Sequence, residues 1–322
     1  MTWLVTGGAG YIGAHVVRDL VREGISVVVL DNLSTGLRRF LPIDVPFVEE
    51  DLLETESVGR VLLDHSVSGV IHIAGFKFAG LSVEDPLHTY RQNVLATMSL
   101  LEAMDRADVK RIVFSSSSSV YGNSASGLVT ESEPFRPTSP YGESKVVGEW
   151  LLRDHGVARD FIHTSLRYFN VVGSGTEFLP DVSPHNLLSM VFAALEDGRT
   201  PQIFGDDYET PDGTCIRDYI HVADLARAHV AAAKAMDSED TLQHAYNLGS
   251  GAGTSVLEMM TAISDVTERS FRPAISPRRP GDPARVVASG ELAARDIGWR
   301  MSYSLEEMIH SAWVARKSLR ES

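Results

Sequence analysis

The sequence is poor in the features that would tie it to a membrane, a nucleic acid or an oxidising compartment. It holds one cysteine, Cys215, so no intrachain disulfide can form, and a reducing compartment is expected. No uninterrupted apolar run approaches the ~20 residues needed to span a bilayer. The opening stretch MTWLVTGGAG has neither a basic segment nor an apolar stretch of leader length before its first glycine turn. Basic residues are outnumbered, 29 against 43 acidic, and the resulting net charge of -14 repels phosphate backbones and anionic lipid surfaces. Internal repeats and low-complexity tracts are absent; the five serines from Ser115 to Ser119 are too short to count. The expectation is a soluble, cytoplasmic protein with no nucleic-acid or membrane partner and no metal.

What is present is an ordinary globular composition, 43% hydrophobic and 22% charged over 322 residues, enough for a large core that sits near the size at which chains split into two domains. Up to about residue 170, short β-rich runs (WLVTG, SVVVLD, PFVEED, GVIHIAG, RIVFSSS, HTSLRYF) alternate with helix-length patterns such as YIGAHVVRDLVREG and PLHTYRQNVLATMSLLEAMDRA. Strands apolar on both faces and separated by helices predict a doubly wound parallel α/β sheet of Rossmann type, which binds ligands at the carboxyl ends of its strands. The rhythm then breaks at GSGTEFLPDVSPHN. A helix is predicted from Leu187 to Asp197, and HAYNLG reads as a further strand. PRRPGDPA reads as a basic loop and SLEEMIHSAWVARKSL as a closing helix. The predicted organisation is a dinucleotide-binding domain over residues 1–170, with segments returning from about 210–250, and a smaller α/β substrate domain over 171–322.

TGGAGYIG lies between the first strand and the first helix, with Gly7, Gly10 and Gly13 three residues apart. A tight turn there aims backbone N–H groups and a helix N-terminus at a pyrophosphate, and the last glycine permits close packing. A glycine triplet alone also serves plain turns; its place between strand and helix is the context the motif requires. Asp31 ends the second strand, 18 residues after Gly13, where a carboxylate accepts from the adenosine ribose hydroxyls and repels a 2′-phosphate, so NAD is favoured over NADP. Asp31 could instead be a turn residue before Asn32. Asp51 is similarly placed for adenine, or for capping the helix that follows.

SPYGESK sets Tyr141 and Lys145 four residues apart, on one helical face, behind Ser139 as N-cap and Pro140 at the first helical position. Alone the pair reads as a surface stack of ring on lysine stem. RIVFSSSSSVYG, however, ends a strand on the cofactor edge, with Ser117 24 residues before Tyr141. A cation about 4 Å from a phenol at an effective dielectric near 20 is worth ~4 kcal/mol, or roughly three pKa units, so Lys145 and a positive nicotinamide together could turn Tyr141 into a base.

Serine, tyrosine and lysine in this order, with TGGAGYIG, LRYFN, GDDYETPDGTCIRDYIHV and PRRPGD, resemble the extended short-chain dehydrogenase/reductase proteins, most closely the UDP-galactose 4-epimerases, over nearly the whole chain. The resemblance implies NAD-dependent 4-epimerisation of a UDP-hexose. In it Tyr141 takes the sugar hydroxyl proton as hydride leaves the same carbon, and Ser117 hydrogen-bonds the oxygen. Ser116 and Ser118 remain alternatives to Ser117. It further implies cofactor contacts at Tyr11, Ile12, Asn32, Leu52, Ala74, Gly75, Lys77, Asn93, Ser115 and Tyr168. Lys77 would also lie near the sugar.

On the substrate side the resemblance implies that Arg217 and Arg279 hold the diphosphate, with Asp282 near the ribose. Asn170, Asn186, Leu187, Tyr219 and Val286 complete the sugar-nucleotide site. Taken alone, Asn170 and Asn186 read as surface or cap residues. Related dehydratases carry an Asp-Glu pair where Ser118 and Ser119 stand here, so elimination is not supported. Gly80-Leu81-Ser82 replaces Gly-Glu-Ser, LRYFNVVG replaces LRYFNPVG, and His185 stands where asparagine is usual. Val286 occupies a position that is tyrosine in some relatives, which suggests a roomier pocket. UDP-glucose and UDP-galactose are the expected pair. UDP-glucuronate is the alternative, with a silent NAD-binding regulator a further one. A homodimer is expected through the helix near 86–105 and the one beginning at Tyr141.

Overall fold

The computed structural model describes residues 1–123, 127–184, 186–238, 242–279 and 282–321. His185, and the Pro280-Gly281 step inside PRRPGD, lie outside the described residues. Seven parallel strands form the large sheet: β1 (Thr2–Thr6), β2 (Ser26–Asp31), β3 (Phe47–Glu49), β4 (Val67–His72), β5 (Arg111–Ser115), β6 (Ile162–Tyr168) and β7 (Ala245–Leu248). Their spatial order is β7-β6-β5-β4-β1-β2-β3. The chain therefore moves outward one way from β1 and the other way from β4, and the reversal opens a crevice at their carboxyl ends.

Helices cover both faces, as strands with no polar side demand. On one face α1 (Tyr11–Arg22) packs against the later helix Val222–Asp237, over a core that includes Trp3, Val5, Leu20, Ile71 and Tyr246. On the other, α2 (Thr55–Asp64) meets a long helical run over a core of Leu4, Val28, Leu62, Leu100 and Phe114. That run, expected as one helix over 86–107, comprises Pro86–Tyr90, a π-helical turn Arg91–Leu95, and Ala96–Arg106. Inserted π turns are frequent where a helix must aim a side chain at a functional site; here the turn carries buried Asn93.

The third helix, α3 (Ala79–Glu84), precedes this run. The helix Pro140–Arg159 begins as its sequence dictates: Ser139 Oγ accepts from Gly142 N and proline occupies the first position. Beyond β6 a separate apolar cluster forms around Phe192, Tyr208, Met259 and Trp313. Short strands link it to the large sheet. Asn170–Val172 pairs in parallel with Tyr219–His221, and Ile216–Arg217 is flanked by Thr254–Ser255 and Arg285–Val286. Val222–Asp237 and β7 return from this half to the large sheet. Among the described residues no helix is long and apolar enough to cross a membrane.

Candidate active site

The glycine turn sits at the reversal of strand order. Gly7 has φ +69°, and a Cβ on it would lie 2.7 Å from the Ala74 nitrogen. A Cβ on Gly13 would lie 2.2 Å from the Gly7 carbonyl oxygen, so only glycine lets the helix start this close to the strand. Gly10, the N-cap of α1, offers no side-chain acceptor, and the helix presents its first N–H groups, at Tyr11, Ile12 and Gly13, as an anion site. The Tyr11 side chain faces the other way: its buried hydroxyl donates to the Gly173 carbonyl at 2.5 Å.

Asp31 closes β2. One carboxylate oxygen accepts from Ala9 N at 2.9 Å and the other from Leu33 N at 2.8 Å, while burial raises its pKa against those two hydrogen bonds. A Cβ on Gly36 would meet this carboxylate at 2.9 Å, so the loop behind it is held open by glycine. Asn32 donates to Asp51 at 2.9 Å, and Asp51 also accepts from Leu53 N, which ties the ends of β2 and β3 together beside buried Leu52.

Across the crevice, Gly75, Asn93 and Lys145 converge. A Cβ on Gly75 would lie 2.8 Å from Asn93 Oδ1 and 4.0 Å from Lys145 Nζ. Tyr141 and Lys145 share one face of their helix and both are buried. Ser117 is the side chain near enough to the Tyr141 hydroxyl to draw its pKa down against burial, and its own Oγ donates to Ser119 Oγ at 3.2 Å. Lys145 Nζ donates to the Ser115 carbonyl at 2.8 Å and lies 5.9 Å from the Tyr141 ring centroid.

The sequence led us to expect the ammonium to pull the phenol down. In the protein by itself burial dominates and raises the Tyr141 pKa, with the nearby Ser117 hydroxyl opposing it. Burial also lowers Lys145 to about 8, with Glu149 opposing. Desolvation disfavours both charged forms, which leaves the further positive charge to a bound cofactor.

The five serines separate by partner. Ser115 Oγ is paired with His229 Nε2 at 2.8 Å. Ser116 Oγ donates to Glu149, and Ser118 opens a short 3₁₀ turn. Of the three candidates, Ser117 is the one whose hydroxyl acts on the Tyr141 phenol, drawing its pKa down. Glu149, four residues past Lys145, forms a buried two-pronged ion pair with Arg167, whose third arm reaches Tyr121 Oη at 2.7 Å. Sequence reading missed this pair. Its helical spacing from Lys145 was visible, whereas Arg167 on β6 is brought beside it only by the sheet.

On the substrate side Arg217 stands 3.3 Å from Asp282, and the Arg279 guanidinium lies 4.1 Å from the Phe204 ring centroid. Val286 is in register with Arg217 in the small sheet, and Tyr219 with Asn170 in the neighbouring pair of strands. The amides of both singled-out asparagines are committed within the chain: Asn170 Nδ2 donates to the Asp218 carbonyl at 2.9 Å, and Asn186, N-cap of the helix that begins at Leu187, donates to Asp181. Lys77 is exposed beside Phe78, with its Nζ 5.6 Å from the ring centroid.

A doubly wound sheet with a glycine phosphate turn at its switch point, an acidic residue closing β2 and a Ser-Tyr-Lys group across the crevice is the class of the short-chain dehydrogenase/reductase proteins. The sequence pattern of the NAD dependent epimerase/dehydratase family matches residues 3–249, and the chain belongs to that family. It is 43% identical to the UDP-glucose 4-epimerase of Bacillus subtilis (strain 168), with 97% of this chain and 96% of the relative covered. Among solved structures, UDP-glucose 4-epimerase from Stenotrophomonas maltophila with bound NAD and formylated UDP-arabinopyranose superposes with a TM-score of 0.94, 37% identity and full coverage of both chains. The enzyme from Brucella ovis in complex with NAD superposes with a TM-score of 0.93 and 39% identity, covering 97% of each chain.

Proposed function

We propose that this protein is a UDP-glucose 4-epimerase that works with tightly held NAD and interconverts UDP-glucose and UDP-galactose. Full-length relatedness to proteins of that activity supports it. The observation in the chain itself that carries it is the buried Tyr141 and Lys145, the lysine held by the Ser115 carbonyl and the phenol beside Ser117, across the cofactor crevice from Asp31 and the glycine turn. The glycine-tight turn and the carboxylate of Asp31 fit a dinucleotide whose pyrophosphate lies on the start of α1 and whose adenosine ribose carries free hydroxyls.

Held by the glycine turn, the start of α1 and Asp31, NAD would supply reversible hydride acceptance at C4 of the sugar. Tyr141 accepts the O4 proton and later gives it back, and Ser117 donates to the same oxygen. Lys145 holds positive charge beside the phenol and is itself fixed by the Ser115 carbonyl. Arg217 and Arg279 offer planar guanidinium forks to the diphosphate. A net return of hydride to the sugar leaves the cofactor unchanged, so no acid/base pair for elimination is needed, and Ser118 and Ser119 supply none.

Leu81, 38% exposed on α3 where relatives carry glutamate, favours a second reading, UDP-glucuronate 4-epimerisation. A coupled assay offering UDP-galactose and UDP-glucuronate separates the two. Turnover of UDP-galactose is expected, and turnover confined to the uronate reverses the assignment. A silent NAD-binding role is disfavoured by the retention of both Tyr141 and Lys145. We further assign a homodimer built on the helices that carry Leu87, Leu95 and Met98 on one side and Trp150 and Val157 on the other, because these apolar side chains stand exposed at 79, 46, 41, 44 and 85%.

A further inference from the structure

The two peptide groups flanking the Tyr141 α-carbon are tied to the segment 76–93, the N–H directly and the carbonyl through Ser144 of the same helix. The first N–H groups of any helix lack intrahelical acceptors. In Pro140–Arg159, proline has no N–H to satisfy, Ser139 Oγ takes Gly142 N at 3.2 Å and the Ser139 carbonyl takes Glu143 N at 2.9 Å. This leaves Tyr141 N, and its acceptor is Ser82 Oγ on α3, at 3.1 Å. Ser82 is completely buried, and its own proton is committed to the Ala79 carbonyl at 2.6 Å. Its lone pair therefore points at Tyr141 N–H, with no water to replace it.

On the other side, the Tyr141 carbonyl accepts from Ser144 Oγ at 2.7 Å, and Ser144 Oγ accepts from Asn93 Nδ2 at 2.8 Å. Asn93 is locked in turn by the Phe76 backbone, accepting its N–H at 2.6 Å and donating to its carbonyl at 2.9 Å. The segment 76–93 thus ties the tyrosine before and after its α-carbon.

We propose that Ser82 is a positioning residue for the reaction: with the Asn93–Ser144 pair it fixes the backbone of Tyr141, and so sets where the phenol stands relative to Ser117 and the sugar hydroxyl. The inference rests on the 4-epimerase reading of this site. A misplacement of about 1 Å at a reacting group costs on the order of 10²-fold in rate, while leaving the distant diphosphate contacts untouched. The loss therefore belongs to kcat and not to KM.

The test uses the NAD-loaded enzyme and the variants Ser82→Ala, Ser82→Thr and Ser144→Ala. Ser82→Ala is expected to lower kcat by roughly 10- to 100-fold, with the KM for UDP-galactose and the NAD content close to those of the parent. Ser82→Thr, which keeps the hydroxyl, recovers most of the loss. Should the added methyl group prevent Ser82→Thr from folding, Ser144→Ala probes the opposite peptide group and is expected to show the same loss confined to kcat. An unchanged kcat in Ser82→Ala overturns the proposal. So does a fall in kcat that comes with loss of bound NAD or a raised KM. A parent inactive on every UDP-hexose refutes the epimerase reading instead. Positioning is then read from ultraviolet titration of the Tyr141 phenol, using Tyr141→Phe as the blank. A shifted titration in Ser82→Ala upholds it and an unchanged one overturns it.

Discussion

Lys145 Nζ donates to the main-chain oxygen of Ser115 at 2.8 Å, so the lysine of one helix closes the carboxyl end of the strand that leads to Ser117. Its ammonium also lies 4.9 Å from the Phe114 ring centroid, in a pocket dry enough to bring its pKa down to about 8. Two consequences follow for pH. Below about 8 the ammonium is present to stabilise a phenolate, and above it the charge is lost, so kcat is expected to fall as pH rises through that value. For stability the sign is opposite. An unfolded lysine titrates near ~10.4, so between the two values the unfolded chain binds more protons than the native one and the native state gains with rising pH. The Tm of the parent should therefore climb relative to that of Lys145→Met across this window. Parallel Tm profiles would show that Lys145 does not titrate there.

Replacing Tyr141 by phenylalanine removes only the hydroxyl that meets Ser117. We expect kcat to drop by roughly 10²- to 10⁴-fold with bound NAD retained, measured by steady-state kinetics and by nucleotide release on denaturation. Full turnover in Tyr141→Phe would remove the tyrosine from the chemistry.

Ser117→Ala and Ser116→Ala should part company. The first loses a hydroxyl that faces the phenol and is expected to lower kcat with little change in Tm. The second strips a donor from buried Glu149 and is expected to cost about 1–3 kcal/mol of stability, since the carboxylate oxygen is left short of a partner. Urea denaturation beside kinetics reads both; the reverse pattern would assign the catalytic serine to position 116.

The Arg167–Glu149 pair lies under the catalytic helix with both side chains almost wholly buried. Arg167→Met alone leaves a buried carboxylate uncompensated, and a loss of about 3–5 kcal/mol is expected. The double change Arg167→Met, Glu149→Leu should recover much of it. A double variant as unstable as the single one would mean that the network's neutral partners, Tyr121 and Ser116, carry the energy instead.

Val286 sits in register with Arg217 on the wall of the substrate half. On the proposed placement of Val286 beside the sugar, a side chain of this size accommodates a 2-acetamido group, and UDP-N-acetylglucosamine is expected to be turned over. Val286→Tyr should suppress that activity well before it affects UDP-galactose. Equal loss of both substrates would place the residue elsewhere than beside C2.

Much of this was legible in one dimension because it is local. TGGAGYIG requires glycine for reasons set within a few residues: the tight turn at Gly7 and the contact between Gly13 and the Gly7 carbonyl. Tyr141 and Lys145 share a face because helical geometry puts them there, and Ser139-Pro140 marks the start. The two-sided burial of β1 and β5 follows from their apolar runs Trp3–Val5 and Ile112–Phe114. The π turn at Arg91–Leu95 interrupts what reads as a plain amphipathic helix, and no local residue announces it; within it Asn93 reaches the distant Phe76 and Ser144.

The sequence by itself determined the alternation of strand and helix, the tight glycine turn between β1 and α1, the acidic end of β2 and the shared helical face of Tyr141 and Lys145, since each depends on local spacing or on a run of one polarity. Only the tertiary structure decided which serine faces the phenol, that Arg167 neutralises Glu149 beneath the lysine, and that Ser82 reaches across 59 positions to hold the tyrosine N–H. Those are contacts between elements, and their partners are set by the order of strands in the sheet and the angle at which helices cross it, neither of which is written in any one stretch of chain.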